Sequence, residues 1–197
     1  MVRRTLILYK TSTGFTKRYA KILAEKLNGT AVDIKNARSV SISLFDTVIF
    51  GTRAHAGTID GLKKFRRIFR LQTGNHFSSA ALHSTPDKKH PLCILFVTGA
   101  APETEKDMIN RLWEDNLTEE ERTALPHFYM PAGLCYEKMN LPDRILMKGL
   151  SVMMKRKKDK TAKDMELAQR ISASFDISSE KYVYPLLDYI IRVNRSN

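Results

Sequence analysis

One turn near the start of the chain carries four hydroxyl side chains around a single glycine: Thr11, Ser12, Thr13 and Thr16 surround Gly14. Side-chain O–H groups and backbone N–H groups both donate to the oxygens of a phosphate. The turn lacks the second glycine and Gly-Lys-Ser/Thr ending of a Walker loop, and it lacks the three spaced glycines of a dinucleotide loop. It therefore predicts a site for a terminal phosphate monoester, with a plainly capped helix start as the open alternative.

Such a turn needs a strand before it and a helix after it. Apolar residues from Phe15 to Leu27 recur at helical spacing, so a helix N-terminus with its free N–H groups faces the turn. We predict strands over residues 4–10, 30–34, 47–52, 91–98 and 128–134 and helices over 14–27, 62–70, 103–117 and 143–155, followed by helical segments near 163–175 and 182–193. Alternating strands and helices indicate a parallel sheet covered on both faces.

Three segments in this order resemble the cofactor loops of flavodoxins. Residues 9–16 resemble the loop that binds the FMN phosphate, and residues 46–57 and 93–101 resemble two strands with the loops that flank the flavin ring. The resemblance implies an α/β, flavodoxin-like, doubly wound five-stranded parallel sheet of order 2-1-3-4-5 with helices on both faces. We expect an FMN-binding domain over residues 1–160 and a helical C-terminal extension over 161–197 that packs on it.

The resemblance also implies which residues would hold FMN. The phosphate would lie against Thr11, Ser12, Thr13, Gly14, Phe15 and Thr16, and the ring would lie between Thr52, Arg53, Ala54 and His55 on one side and Thr98, Gly99, Ala100 and Ala101 on the other. Phe15 also fits the buried stripe of the first helix. Neither ring loop carries the Trp or Tyr that commonly stacks on the flavin, which predicts a more exposed ring and a higher reduction potential than in typical flavodoxins.

Three functions remain open at this stage. The first is an FMN-dependent electron-transfer protein or oxidoreductase. The second is a quinone-linked oxidase of a porphyrin precursor. It is implied by residues 129–139 and 143–150, which are loosely similar to the branch containing menaquinone-dependent protoporphyrinogen oxidase. The third is a non-catalytic basic interaction module that keeps the fold. No residue receives a catalytic role.

The charge balance is strongly basic, with 33 Lys and Arg against 21 Asp and Glu and a net charge of +12. This favours an acidic redox partner protein, an anionic membrane surface or another polyanion. The resemblance to the protoporphyrinogen oxidase branch adds a quinone as the alternative redox partner. Nucleic acid is not expected, because no zinc spacing or RNA-binding signature accompanies the charge. The apolar residues of the helix predicted over 143–155 adjoin a basic run, and we favour a core-facing helix over one that lies on a membrane.

Length and composition indicate one domain, since 197 residues at 43% hydrophobic content suffice for a single core. No signal peptide or run of 18 apolar residues is evident, so we expect a cytoplasmic protein, with peripheral contact at the inner face of the membrane as the alternative. Cys93 and Cys135 are interpreted as reduced core thiols, and the dispersed histidines predict no metal site. Residues 72–90 form a long polar connection that we interpret as mobile.

Overall fold

The main sheet is parallel and follows the predicted order. The computed structural model describes residues 4–74, 91–156, 158–159 and 161–195. Its strands are β1 (Thr5–Tyr9), β2 (Thr30–Asp33), β3 (Thr47–His55), the short β4 (Thr58–Ile59), β5 (Leu92–Gly99) and β6 (His127–Pro131). The order is β2-β1-β3-β5-β6, with β4 antiparallel to the end of β3. When the short β4 is left out of the numbering, this is the predicted order 2-1-3-4-5. The predicted doubly wound fold is therefore confirmed.

Helices connect these strands and continue beyond the last one. They are α1 (Phe15–Lys26), α2 (Leu62–Thr73), α3 (Lys106–Asn116), α4 (Glu119–Ala124), α5 (Leu141–Arg156), α6 (Ala162–Arg170) and α7 (Tyr184–Arg195). Shorter 3₁₀ segments span Ile34–Ser39, Ile42–Leu44, Tyr136–Lys138 and Glu180–Val183. A small antiparallel pair, β7 (Gly133–Leu134) and β8 (Phe175–Asp176), joins the end of β6 to the C-terminal region.

Alternation along β1 divides the core between the two faces of the sheet. Leu6 and Leu8 belong to a buried cluster with residues of α2 and α3, whereas Ile7 belongs to a second cluster with α1 and α7. Successive side chains of a strand point to opposite faces, so a strand buried on both sides needs this continuous apolar run. Helix α7 contributes Leu186 and Ile190 to the second cluster, so it packs on the same core as α1.

Four predicted features differ from the structure. The sequence predicts a ring-flanking loop after a strand that ends at residue 52, but β3 continues to His55 and pairs with β4. Cys93 is buried, but Cys135 is partly exposed and its thiol donates to Glu137, so it is not a core thiol. The strand predicted over 128–134 is divided into β6 and β7. Of the connection predicted over 72–90, residues 75–90 lie outside the described residues.

The orientation of α5 is the fourth difference. The prediction that this helix faces the core is wrong, because the side chains of Ile145, Leu146 and Met153 are 63%, 52% and 63% exposed. Met147 and Met154 are the apolar side chains of this helix that pack inward, against a third cluster around Tyr136. The apolar periodicity of α5 is therefore real, but one apolar face points away from the protein.

Candidate functional site

The predicted phosphate loop lies at the carboxyl end of β1 and opens helix α1. Gly14 is the N-cap residue with φ +100°, a left-handed conformation that favours glycine, and no side chain caps the helix. The Thr11 hydroxyl accepts a hydrogen bond from the Gly14 N–H at 3.1 Å, which fixes the turn. The first-turn N–H groups therefore face outward around a residue without a Cβ, the arrangement that suits an anion.

Basic side chains stand beside this loop. Thr13, Gly14 and Phe15 line a cavity of about 350 Å³ together with Arg18 and Lys138. Asp176 lies on the same cavity, and Arg18 Nη1 binds its carboxylate at 2.7 Å. Burial raises the pKa of the Asp176 carboxyl, but hydrogen bonds from Ser178 and Arg18 outweigh burial and lower it overall. Two cations therefore line the cavity beside the loop: Arg18, which is paired with Asp176, and Lys138.

A chain of hydroxyl groups ties the phosphate loop to both predicted ring loops. The Thr16 and Thr98 hydroxyl oxygens lie 2.9 Å apart in the interior, and the Thr98 hydroxyl donates to the Thr52 carbonyl at 3.2 Å. Because Thr98 has one hydroxyl proton and gives it to Thr52, the proton between Thr16 and Thr98 belongs to Thr16. The Thr16 side chain is 2% exposed as a result, and its hydroxyl faces the core.

The second ring loop is held by a tyrosine. The Tyr129 hydroxyl donates to the Ala101 carbonyl and accepts from the Ala101 N–H, both at 3.1 Å. A Cβ on Gly99 would lie 2.3 Å from this hydroxyl oxygen, so the glycine leaves the space that Tyr129 occupies. Burial raises the pKa of Tyr129 far above its usual value, which keeps the hydroxyl protonated and available as a donor. Ala100 packs against the same buried cluster as Met147 of α5.

Both segments that are predicted to flank the flavin ring contribute to one cavity. Ala54 of β3 and Gly57 of the β3–β4 turn line a space of about 530 Å³ with Gly99, Ala100 and Ala101, and Tyr129 forms part of its wall. Neither ring loop itself carries a Trp or Tyr side chain. Tyr129 lies instead on β6, and its place beside the loop follows from the pairing of β6 with β5, where it aligns with Val97.

The first ring segment carries a network of charges. Lys10 Nζ binds Asp60 at 2.5 Å, Arg53 contacts Asp60 at 3.4 Å and Asp143 at 3.1 Å, and His55 Nε2 lies 3.5 Å from Asp143. Asp143 comes from the first turn of α5, where the Asn140 side chain accepts from its backbone N–H. Burial raises the pKa of Asp60, but Lys10 and Arg53 outweigh it and lower the pKa overall.

The network changes the interpretation of the predicted ring residues. Thr52 is buried and donates its hydroxyl to the Asp60 carbonyl, and Arg53 and His55 are engaged by carboxylates rather than simply solvated. Sequence reasoning missed Lys10, Asp60 and Asp143. The available signal was the placement of Lys10 at the end of β1, next to the phosphate loop, where a partly exposed cation attracts a nearby carboxylate.

The fold and the loops at one edge of the sheet define an α/β protein of the flavodoxin-like class. A family model described as a flavodoxin domain matches residues 6–163, and the chain belongs to this family. The match includes every residue of the phosphate loop and of both ring segments.

Solved structures similar to this chain are distant. They include the Bacillus subtilis Trp repressor binding protein, at 14% identity and a TM-score of 0.40, with 87% of this chain and 98% of that chain covered. A flavoprotein in complex with FMN from Lactobacillus acidophilus has 13% identity and a TM-score of 0.38, with 66% and 92% covered. Rubredoxin oxygen:oxidoreductase from Desulfovibrio gigas has 10% identity and a TM-score of 0.36; 85% of this chain matches 35% of that longer protein. No curated protein matches the chain.

Two further properties concern the described residues alone. Within them, no three His, Cys, Asp or Glu side chains lie close enough together to hold a metal ion. No helix of that part of the chain is both long and apolar enough to cross a bilayer.

Proposed function

We propose that this chain binds FMN at the carboxyl edge of its sheet and works as a redox flavoprotein, either an electron-transfer protein or an oxidoreductase. Bound FMN supplies the electron-accepting ring, and the protein supplies placement and electrostatics. The observation that carries the proposal is the hydroxyl chain from Thr16 through Thr98 to Thr52, which joins the phosphate loop to both ring segments. Membership of the flavodoxin domain family supports the same cofactor.

The residues on the phosphate side fit a phosphate monoester. Gly14 leaves the N-terminus of α1 open, and the Thr13 side chain, which is partly exposed, lies on the same cavity as Arg18 and Lys138. Backbone N–H groups at a helix N-terminus and nearby cations both favour a dianion. The Thr16 hydroxyl points inward, so we expect Thr16 to contribute its backbone N–H alone.

The residues on the ring side fit a flat, partly apolar group. The cavity between Ala54 and Ala100 has glycine and alanine walls that let a ring approach the backbone, and Tyr129 presents an aromatic surface there. Arg53 lies one residue from this cavity, but Asp60 and Asp143 pair with it, so the higher reduction potential stays a prediction for a redox titration to test.

The first experiment is FMN retention by the purified protein, measured by visible absorption after added FMN is removed by desalting, with affinity from fluorescence titration. Thr13→Glu places a negative charge beside the phosphate and should weaken FMN binding at least tenfold. Thr30→Glu is the matched control, because Thr30 is an exposed threonine at the opposite edge of the sheet. Equal affinities for the two variants, or no FMN retention by the unaltered protein, would contradict the proposal.

A third variant distinguishes the contribution of the Thr16 hydroxyl from that of its backbone N–H. Thr16→Val keeps the shape of the side chain and removes the proton that it donates to Thr98. We expect unchanged FMN affinity and a loss of about 1 kcal/mol in the free energy of unfolding. A tenfold loss of FMN affinity without a loss of stability would show that the Thr16 hydroxyl contacts the phosphate after all.

An acidic redox partner is the finer part of the proposal. Five basic side chains line a groove of about 730 Å³ between the 3₁₀ segment Ile34–Ser39 and α2. They are Lys35, Arg38, Lys63, Lys64 and Arg67, and apolar residues, among them Ile34 and Ile68, also line the groove. Like-signed charges in a groove attract opposite charges and raise association rates.

A quinone is the second candidate electron partner, favoured by one specific cavity. Ala100 and Ala101 of the second ring loop line a space of about 390 Å³ with Met147 and Leu150 of α5 and Leu167 of α6. Its apolar wall suits an apolar redox substrate beside the proposed ring site. Rapid oxidation of the chemically reduced FMN-loaded protein by a short-chain quinone would favour the quinone as electron partner. Oxidation by acidic redox proteins alone would favour an electron-transfer protein that serves an acidic partner.

A further inference from the structure

The outward face of α5 combines large exposed apolar side chains with basic ones. Its exposed apolar residues are Leu141 (66%), Ile145 (63%), Leu146 (52%), Leu150 (37%), Val152 (47%) and Met153 (63%). Apolar side chains scattered singly over a surface are ordinary, but several on one face of one helix mark an interaction site. The face is continuous along the helix, because residues 141, 145 and 152 follow one another at steps of about one and two turns.

The charges that accompany this face have one sign. Helix α5 is described in full, and its exposed charged side chains are Lys148, Lys155 and Arg156. Its single acid, Asp143, is 9% exposed and faces inward, toward Arg53 and His55. A helix with an apolar face and exposed cations matches the composition of helices that lie in the interface of an anionic bilayer.

The protein holds α5 so that this face stays outward. Near its start, Asp143 binds Arg53 of β3, and near its end the Ser151 hydroxyl donates to the Ala168 carbonyl of α6 at 2.9 Å. Met147 and Met154 pack into the cluster beneath. Turning the exposed residues inward would break these contacts, so rotation of the helix does not bury the face, and no residue that the structure describes covers it.

We propose that α5 docks the protein on an anionic lipid surface, with its apolar face in the headgroup region and its lysines against lipid phosphates. A second copy of the chain fits less well, because two such faces would bring cations together in a protein of net charge +12. Nucleic acid would leave the apolar residues without a partner. This inference does not rest on FMN binding.

The test is flotation with vesicles of phosphatidylcholine alone and of phosphatidylcholine with 30% phosphatidylglycerol. Ile145→Glu and Ile191→Glu are matched variants: both replace an exposed helical isoleucine, 63% and 46% exposed, and both change the net charge equally. We expect binding to the anionic vesicles, weakening with added salt, and a partition coefficient at least tenfold lower for Ile145→Glu. Ile191→Glu should lose less than twofold.

Three results would overturn the proposal. Equal losses for the two variants would place lipid binding elsewhere on the basic surface. Failure of the unaltered protein to float with anionic vesicles would remove the lipid partner. Concentration-dependent dimers in sedimentation velocity without vesicles, abolished by Ile145→Glu alone, would assign the face to a second copy of the chain.

Discussion

The two sides of the candidate site are built by different means. The phosphate side uses consecutive residues, with Gly14, the Thr11 hydroxyl and the first turn of α1 all within one short loop. The ring side uses residues far apart in the chain, since Arg53 binds Asp143, 90 positions away, and Lys10 binds Asp60, 50 positions away. The phosphate side is therefore set by local backbone conformation, and the ring side is set by tertiary structure.

This difference teaches where substitutions should act. A change in the phosphate loop alters the backbone that meets the cofactor and leaves the distant packing in place. A change in the charge network alters the attachment of α5 to β3, because Asp143 is the residue of α5 that binds Arg53 and His55. Loss of cofactor affinity should characterise the first side, and loss of stability should characterise the second.

The largest expected effect is on the phosphate side. Gly14→Val forces a β-branched residue into φ +100°, although a Cβ there would meet no atom within 4 Å. We expect FMN affinity to fall at least about 100-fold, as the strained loop redirects its N–H groups, and unfolding free energy to fall by about 1–2 kcal/mol. Fluorescence titration and urea unfolding measure the two quantities.

Gly74→Val is the matched control for this variant. Gly74 ends α2 with φ +73° and also has open space around its Cβ position, so the backbone strain is similar. We expect a comparable loss of stability with unchanged FMN affinity. If both variants lost FMN equally, the effect of Gly14→Val would be a general consequence of destabilisation.

A smaller effect is expected on the ring side. Asp143→Asn removes the charge that faces Arg53 and His55 in a place where the side chain is only 12% exposed. We expect a loss of about 1.5–3 kcal/mol in the free energy of unfolding, with less than a threefold change in FMN affinity. Asp159→Asn makes the same charge change at an exposed turn and should alter stability by less than about 0.5 kcal/mol. A large loss of affinity without a loss of stability would place Asp143 in the cofactor site itself.

The same contrast explains what the sequence could predict. The strand order and the phosphate loop follow from local patterns: apolar runs, helical periodicity and one glycine among hydroxyls. The inward direction of Thr16 could not be predicted, because it depends on Thr98 on a strand 82 positions away. The outward face of α5 was only the less favoured alternative, since periodicity locates an apolar stripe without saying whether anything covers it.

The smallest expected effect concerns Asp60, where the two sides meet. Its carboxylate binds Lys10, the residue just before the phosphate loop, and Arg53 of the ring side, and these cations lower its pKa below its usual value of 3.8. A carboxyl with a lowered folded-state pKa stabilises the protein above its unfolded-state pKa. This stabilisation is lost as pH falls through the folded-state pKa.

Asp60→Asn should therefore cost about 0.5–1 kcal/mol at pH 7, and the difference from the unaltered protein should shrink as pH falls below about 4. Urea unfolding of both proteins between pH 7 and pH 3 measures this difference. A difference that stays constant across the range would mean that the carboxylate charge contributes nothing and that shape alone places Asp60. A difference that shrinks, together with weakened FMN binding at pH 7, would show that the charge network also positions the phosphate loop, and the two sides of the site would then act as one unit.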